Sequence, residues 1–420
     1  MTADSGNDSV FLQTGNTGTV NGGTENDFII STFNVGSMQL FGGDGADTIF
    51  VTNASAAQTI VGGNDSSDGN DFMFSGTGAD LVFGNGGNDT LANPGGNDTF
   101  VGGFGNDFVQ LIAAGSLLYF GNQGNDTVIA PAAGGTLYGG LGNDVLAAFG
   151  TGSLLAFGNE GSDTVQVQAA DVTVVGGNDS ADAGDSLFAV ATGTAIVFGN
   201  GGADTTGTGT GAVTAVGGQG NDFIQAVGTS NLVFANEGND SVFAGGASGR
   251  ATIFGGLGND IVQGFGGRDS LQGNEGNDSL TGDGGTSSID TISGGAGNDL
   301  FAYANAADDG NNATGGGPVE LITDLNWAED KVLTQTQTIT FAANLGAGTG
   351  ADLAASANNA LAAAQALSGG NTAWVAAQFT FSGHTYLAID QANHGAFDDT
   401  DDLLLDITGV TGTISSSNFI

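Results

Sequence analysis

The chain lacks cysteine altogether, so no disulfide framework is possible and cysteine usage points to no redox compartment. Positive charge is nearly as scarce: Arg250, Arg268 and Lys331 stand against 45 acidic residues, a formal net charge of −42. With nothing basic to meet phosphate, nucleic acid and anionic membrane are poor partners. No window approaches the roughly 18 continuous apolar residues of a membrane-spanning helix, so no transmembrane segment is expected. Met1 to Val10 carry neither a basic flank nor an apolar stretch, and a cleaved signal peptide is not expected either. Catalytic groups are equally thin. The histidines are His384 and His394, no Gly-x-Ser-x-Gly elbow occurs, and Lys331 has no phosphate loop before it. A Ser/His/Asp arrangement could use His384 with Asp390, but exposed strand and loop histidines are the simpler reading. The chain is expected not to be an enzyme.

An acidic chain with 79 glycines reads as disordered by composition, since it repels itself and has little to bury. Yet the glycines are not scattered. A six-residue phrase returns roughly every 18 to 20 residues. It reads GGTEND (Gly22–Asp27), GGDGAD (Gly42–Asp47), GGFGND (Gly102–Asp107), GNQGND (Gly121–Asp126), GGLGND (Gly139–Asp144), GGQGND (Gly217–Asp222), GGLGND (Gly255–Asp260) and GGAGND (Gly294–Asp299). A short apolar pair such as Thr127-Val128 follows each phrase. This period predicts an all-β chain, a right-handed parallel β-roll (β-solenoid) over residues 1–303, in which one step is one coil.

Stacking the coils places Asp27, Asp47, Asp71, Asp89, Asp107, Asp126, Asp144, Asp163, Asp185, Asp204, Asp222, Asp240, Asp260, Asp278 and Asp299 on one edge. A second set, offset by nine residues, falls on the opposite edge: Asp80, Asp98, Asp269 and Asp290. Between Asp107 and Asp260 that opposite edge is built from Ala, Gly, Thr and Ser instead, as in Ala132 to Gly135 and Thr206 to Gly209. Glycine at the first, second and fourth positions permits the positive φ angles of a tight turn and lets carbonyl oxygens point inward. The first glycines, among them Gly102, Gly121, Gly139, Gly217, Gly255 and Gly294, therefore join the candidate ligands. One turn cannot supply six oxygens, but turns on adjacent coils can, with the ion between them. An all-oxygen set of carbonyls and carboxylates selects calcium, many ions per chain, over zinc, copper or magnesium. Good turn-forming residues alone would account for a single such turn, though not for fifteen in register. Two turns are expanded, GGNDSSDGND (Gly62–Asp71) and GGNDSADAGD (Gly176–Asp185). Their extra acids, Asp65, Asp68, Asp179 and Asp182, either bind an additional ion or stand as solvated loops.

The texture changes after residue 303. Residues 304–317 form a Gly/Asn/Asp-rich linker, and ordinary segments begin at Pro318. A strand is predicted over Thr334 to Phe341, a helix over Ala351 to Leu367, a hairpin from Gln378–Phe381 and Thr385–Asp390 around Ser382-Gly383, and a strand over Asp402 to Ile407. Residues 318–420 thus form a small α+β cap over the open end of the roll. The spaced acids from Asp390 to Asp402, with Gly395 at the sixth place, are similar to an EF-hand loop. They lack its terminal glutamate and flanking helices, which leaves at most an isolated calcium loop.

The phrases GGLGNDVLA, GGFGNDFVQ and GGAGNDLFA resemble the nonapeptide G-G-x-G-x-D-x-U-x of the RTX (repeats-in-toxin), hemolysin-type calcium-binding repeat family, and the chain is identified as a member of its surface-layer or structural type. The tail is similar too. Leu321-Ile322-Thr323-Asp324-Leu325 before Glu329-Asp330-Lys331-Val332, and the ending through Asn418-Phe419-Ile420, resemble the segments that follow the roll in such proteins. The resemblance implies a roll that folds on meeting calcium outside the cell. It also implies export by a type I secretion system that reads an uncleaved C-terminal signal in residues 318–420. Because this chain begins directly in repeats, no toxin, protease or lipase domain is expected.

The calcium turns leave one column unexplained. Phe41, Val61, Phe83, Phe120, Tyr138, Phe157, Val175, Phe198, Val216, Phe234 and Phe254 each precede a turn, and the residue before each points into the roll. Alternation puts this column outside, where it is either covered by the chain's own loops or an association surface. The expected function is a secreted, calcium-dependent structural protein of a bacterial cell surface, an S-layer, sheath or matrix subunit that self-associates into filaments or layers, with cell-surface polysaccharide a possible partner. The alternative is an adhesin or binding module for carbohydrate or protein.

Overall fold

Among its described residues the computed structural model is all-β apart from one α-helix and a short 3₁₀ turn, and is organised as parallel β-solenoid coils. It describes the chain except residues 4, 32–33, 53, 114, 132, 178–181, 247–248, 283–288, 304–318, 335–338, 369–373, 391–396 and 398–401. The linker 304–317, Asp179, Ala132, His394 and most of the loop between Asp390 and Asp402 therefore lie outside the described residues. Two compact units divide the chain, Met1–Gly211 and Ala212–Ile420.

In the first unit the chain alternates between two parallel sheets. Strands entering the glycine-rich turns, from Gly18–Thr24 through Gly96–Phe104, Gly115–Gln123 and Ala133–Leu141 to Thr194–Gly201, form one sheet. Strands leaving the turns, from Ser9–Phe11 through Phe108–Leu111 and Thr127–Pro131 to Thr205–Thr208, form the other. Register follows the repeat: Tyr119 pairs with Leu137 and Phe120 with Tyr138. A slip of one residue would turn every inward aliphatic outward, so burial enforces the alignment. Leu40, Ile60, Val82, Leu137, Val174 and Val197 on the entering strands are no more than 1 % exposed, and Ile29, Ile49, Leu91, Val109 and Val128 on the leaving strands face them. The core is a thin slab, closed at its edges by the turns.

The column before the turns lies outside, as alternation requires. Its members are half-buried, and three of them in this unit stack. Phe120 and Tyr138 rings lie 5.1 Å apart and Tyr138 and Phe157 4.9 Å apart, with nearly parallel planes.

The second unit repeats the plan with entering strands from Ala212–Gln219 to Thr291–Ala296 and leaving strands from Phe223–Ala226 to Leu300–Ala302. The coils do not stop at residue 303. Leu321–Ile322 pairs in parallel with Thr291–Ala296, and Lys331–Leu333 with Leu300–Ala302. Parallel pairing thus continues on the far side of residues 304–318. Beyond this last coil, residues 335–338 of the strand predicted at Thr334–Phe341 lie outside the described residues, and a strand spans Phe341–Ala347. The helix spans Leu353–Leu367, with the Asp352 carboxylate accepting from Ala355 N at 2.8 Å. Val375–Phe381 and His384–Ile389 form the antiparallel hairpin, with Ser382 and Gly383 at φ 52° and 90°. Leu403–Asp406 pairs with this hairpin and, through Asp406, with Leu321 of the last coil. Ala357, Ala360, Leu361 and Ala364 bury against Val375, Ala377 and Phe379. Among the described residues no helix is long and apolar enough to cross a membrane.

Candidate metal centre

The predicted aspartate row is in register within each unit. In the first unit the amide of one turn aspartate donates to Oδ1 of the aspartate one coil on: Asp27 to Asp47, Asp107 to Asp126, Asp126 to Asp144 and Asp185 to Asp204, each at 2.7 Å. Asp47, Asp71, Asp89, Asp144 and Asp163 continue the series at 2.7–2.8 Å. In the second unit Asp222, Asp240, Asp260, Asp278 and Asp299 are linked at 2.7–2.9 Å. Each bond fixes the carboxylate by one oxygen and leaves the other.

That other oxygen is the central observation. Oδ2 of Asp27, Asp47, Asp71, Asp89, Asp107, Asp144, Asp163 and Asp185, and of Asp240, Asp260, Asp278 and Asp299, is buried without a hydrogen-bond partner. Folded proteins seldom leave buried polar atoms unmatched, and a charged one costs several kcal/mol unless something neutralises it. The surrounding backbone shows what fits. A side-chain carbon on Gly139 or Gly255 would collide with Asp144 Oδ2 or Asp260 Oδ2, and would lie 2.6 or 2.7 Å from the next coil's carbonyl oxygen, Gly158 O or Gly273 O. Gly102, Gly121 and Gly217 face Asp107, Asp126 and Asp222 in the same way, and Gly294 faces Asp299 Oδ2. A carboxylate oxygen and a carbonyl oxygen from successive coils thus converge beside one glycine. Among the described residues no three His, Cys, Asp or Glu side chains cluster as a metal site. Each ordinary turn brings one carboxylate, so the remaining donors there are carbonyls, a donor set suited to calcium.

The glycines divide the work differently from the sequence expectation. The second glycine takes positive φ, 124° at Gly103 and 120° at Gly140, as does the fourth, 109° at Gly105 and 123° at Gly142. Asparagine replaces the second in several turns, with φ of 75° at Asn122 and 79° at Asn159, a conformation it tolerates. The first glycine is outside the left-handed region and is required for space. Gly139→Ala is therefore expected to raise the calcium needed for half-maximal folding several-fold, as followed by circular dichroism. Gly152→Ala, whose nearest neighbouring atom would be 4.0 Å away, should leave the titration unchanged.

Burial pushes these carboxyls well up: Asp71, Asp107 and Asp185 to about 8, Asp89, Asp144 and Asp278 to about 7, and Asp47, Asp163 and Asp240 to about 6. Backbone hydrogen bonds to Oδ1 pull the other way, and charges on neighbouring coils add to the rise in most of them. These positions favour a proton or a cation over a bare charge.

The opposite edge carries its predicted acids within each unit. Gln58 N and Asp80 N donate to Asp80 and Asp98 Oδ1 at 2.8 Å, and Ala251 N and Asp269 N donate to Asp269 and Asp290 Oδ1 at 2.7 Å. Asp98 Oδ2 and Asp269 Oδ2 are again bare and buried.

Sequence reasoning missed three features. Asp8 N donates to Asp27 Oδ1 at 2.8 Å and so begins the row. Asp330 accepts from Asp299 N at 3.0 Å and closes it, 31 residues on, with its Oδ2 taken by Asn326 N at 2.7 Å. An asparagine ladder also runs beside the aspartates in the opposite direction: Asn125 N to Asn106 Oδ1 and Asn143 N to Asn125 Oδ1, both 2.7 Å. The recurrent Asn-Asp pair was its signal. The tentative His384–Asp390 pairing is not formed. His384 Nδ1 lies 2.7 Å from Asp406 Oδ2, on the surface, whereas Asp390 accepts from Gln365 Nε2 at 3.2 Å.

A solenoid whose turns offer buried, unmatched carboxylate oxygens beside carbonyls defines a class of calcium-binding repeat protein. The model of the RTX calcium-binding nonapeptide repeat matches residues 39–52, 65–92, 95–110, 120–148 and, in overlapping segments, 216–310. These segments carry RTX calcium-binding nonapeptide repeats. No curated protein matches the chain. The stretch 149–215 escapes the family model, although Asp163, Asp185 and Asp204 keep the row there.

Proposed function

We propose that this chain is a secreted, calcium-binding structural protein of a bacterial cell surface, a subunit of an S-layer, sheath or extracellular matrix that folds and self-associates when it meets calcium. The reading rests on the row of buried Oδ2 atoms, which asks for divalent cations at nearly every coil. The aspartates of both edges and the first glycines would hold them. Secretion by a type I route, through a signal in residues 318–420, is part of this proposal and is supported by the RTX repeats. Self-association is supported by the outer faces. Phe28, Phe72 and Phe188 in the first unit and Phe223 and Ile261 in the second are 36–49 % exposed. Exposed apolar side chains on an outer face favour packing side by side.

Electron microscopy of the purified chain tests the proposal. Ordered layers or filaments are expected on calcium addition, and Phe72→Ser with Phe188→Ser should weaken them while leaving the calcium-induced β spectrum intact. A folded, monodisperse monomer at millimolar calcium would overturn the structural role.

One observation favours the adhesin reading. A cavity of about 260 Å³ beside the ring stack is lined by Phe120, Tyr138, Asn122 and Asn159, a mixture able to hold a sugar. The rings spend their faces on one another, however, so little flat surface remains for stacking a sugar ring. Binding of a monomer to a glycan array would reverse the preference. No catalytic role is proposed: the exposed His384–Asp406 pair has Thr408 as its hydroxyl neighbour, and nothing around it activates a nucleophile.

A further inference from the structure

The two expanded turns are near-copies. Residues 59–71 read TIVGGNDSSDGND and residues 173–185 read TVVGGNDSADAGD, and each is followed one coil later by FGNGG, at 83–87 and 198–202. The structure repeats the likeness in detail. Asp68 Oδ1 accepts from Gly45 N at 2.7 Å, and Asp182 Oδ1 from Gly161 N at 2.9 Å. In ordinary coils the same fourth-position amide donates to a peptide carbonyl, Gly105 N to Gln123 O at 3.0 Å and Gly142 N to Glu160 O at 2.8 Å. The expanded turn therefore puts a carboxylate where other turns put a carbonyl.

The second oxygens are left bare. Asp68 Oδ2 and Asp182 Oδ2 are shielded from solvent and have no hydrogen-bond partner. Beside them, Asp71 and Asp185, each 2 % exposed, present bare Oδ2 atoms of their own. Asp68 sits five residues after Gly63, and Asp182 five after Gly177, where a side-chain carbon on the glycine would strike Oδ2. This is the Gly–Asp relation of an ordinary turn, formed a second time inside the same loop. The following coil secures it. Asn85 Nδ2 donates to Gly63 O at 2.6 Å, and Asn200 Nδ2 to Gly177 O at 2.7 Å. Gly86 is required because any side chain there would strike the Asp65 carbonyl of the overhanging loop. Asp65 itself is exposed and turned back onto Ser67, so it is not part of the arrangement.

We propose that each expanded turn holds a calcium ion of its own between two carboxylates, Asp68 with Asp71 and Asp182 with Asp185, and that these two ions bind first and leave last. Calcium affinity rises with the number of charged ligands, and a rung with two carboxylates exceeds its one-carboxylate neighbours. The inference rests on the calcium reading of the row as a whole.

Equilibrium dialysis of the full chain against graded free calcium tests it, with circular dichroism as the folding control. The wild type should show a tight class of two ions, filled at free calcium about tenfold lower than the rest. Asp68→Asn with Asp182→Asn should abolish that class, leaving the Asp71 and Asp185 rungs to fill with the one-carboxylate rungs, while Asp65→Asn leaves the tight class in place. A tight class of two ions that persists in the folded double variant would overturn the inference and leave the calcium row standing. No calcium bound by the wild type would overturn the reading beneath it. Should the double variant fail to fold, anomalous scattering from wild-type crystals grown with terbium decides: peaks between Asp68 and Asp71 and between Asp182 and Asp185 support the sites, and peaks on the single-carboxylate rungs alone overturn them.

Discussion

Excess chelator is expected to abolish the β-sheet circular dichroism of the repeats at neutral pH, and millimolar calcium to restore it. The size of the effect follows from numbers of rungs. A folded domain is stable by about 5–15 kcal/mol in total. A buried carboxylate without a partner costs several kcal/mol, and Asp27, Asp47, Asp71, Asp89 and Asp107 alone already supply five in consecutive order. The slab of aliphatics between the sheets cannot offset such a series. Monovalent salt should not substitute, because screening acts on exposed charges and these oxygens are out of its reach. Binding to the folded form alone then makes calcium affinity part of the folding free energy. A β spectrum unchanged by chelator would contradict this.

Acid should do in part what calcium does. The carboxyls of Asp71, Asp107 and Asp185 are pushed up to about 8, and that of Asp144 to about 7, against an ordinary value of 3.8. A carboxyl raised in the folded chain binds its proton more tightly there than in the unfolded chain. Between 3.8 and about 8 the fold therefore gains stability as pH falls and loses it as pH rises. In chelator, β structure should accordingly return as pH is lowered from 8 towards 4.5, checked by circular dichroism with sedimentation to exclude aggregates. With calcium present the order reverses: protons compete for the same oxygens, so apparent affinity should weaken as pH falls through 8 to 6. A metal-free chain that gains β structure as pH rises would contradict both halves.

The coil period and the row of aspartates were legible because a solenoid stacks what the sequence repeats. Fixed spacing brings Asp107, Asp126 and Asp144 together with no tertiary information beyond the period itself. Three things were not legible for a matching reason. Asp330 lies beyond the insertion 304–318, so it joins the row without belonging to the repeat. The first-position glycines were read as conformational, yet Gly139 and Gly255 are there because Asp144 and Asp260 fold back onto them, a contact visible only once the coil is closed. Asp68 and Asp182 could be read either way from sequence, since an acid in a long turn is usually solvated. Their burial depends on the coil above, where Asn85 and Asn200 hold Gly63 and Gly177 in place. In the tail the hairpin at Ser382-Gly383 was plain from its turn residues, whereas the strand at Phe341–Ala347 was not, because its partner, Val375–Phe381, follows a helix.

The most direct measurement is a crystallographic map of the chain grown in saturating calcium, with ions located by anomalous scattering. Density is expected along the turn edge of each unit, between Oδ2 of one aspartate and the carbonyl of the next coil, at Asp107, Asp144 and Asp260 among others. Coils aligned as described but with those positions bare would show that something other than calcium accommodates the buried carboxylates.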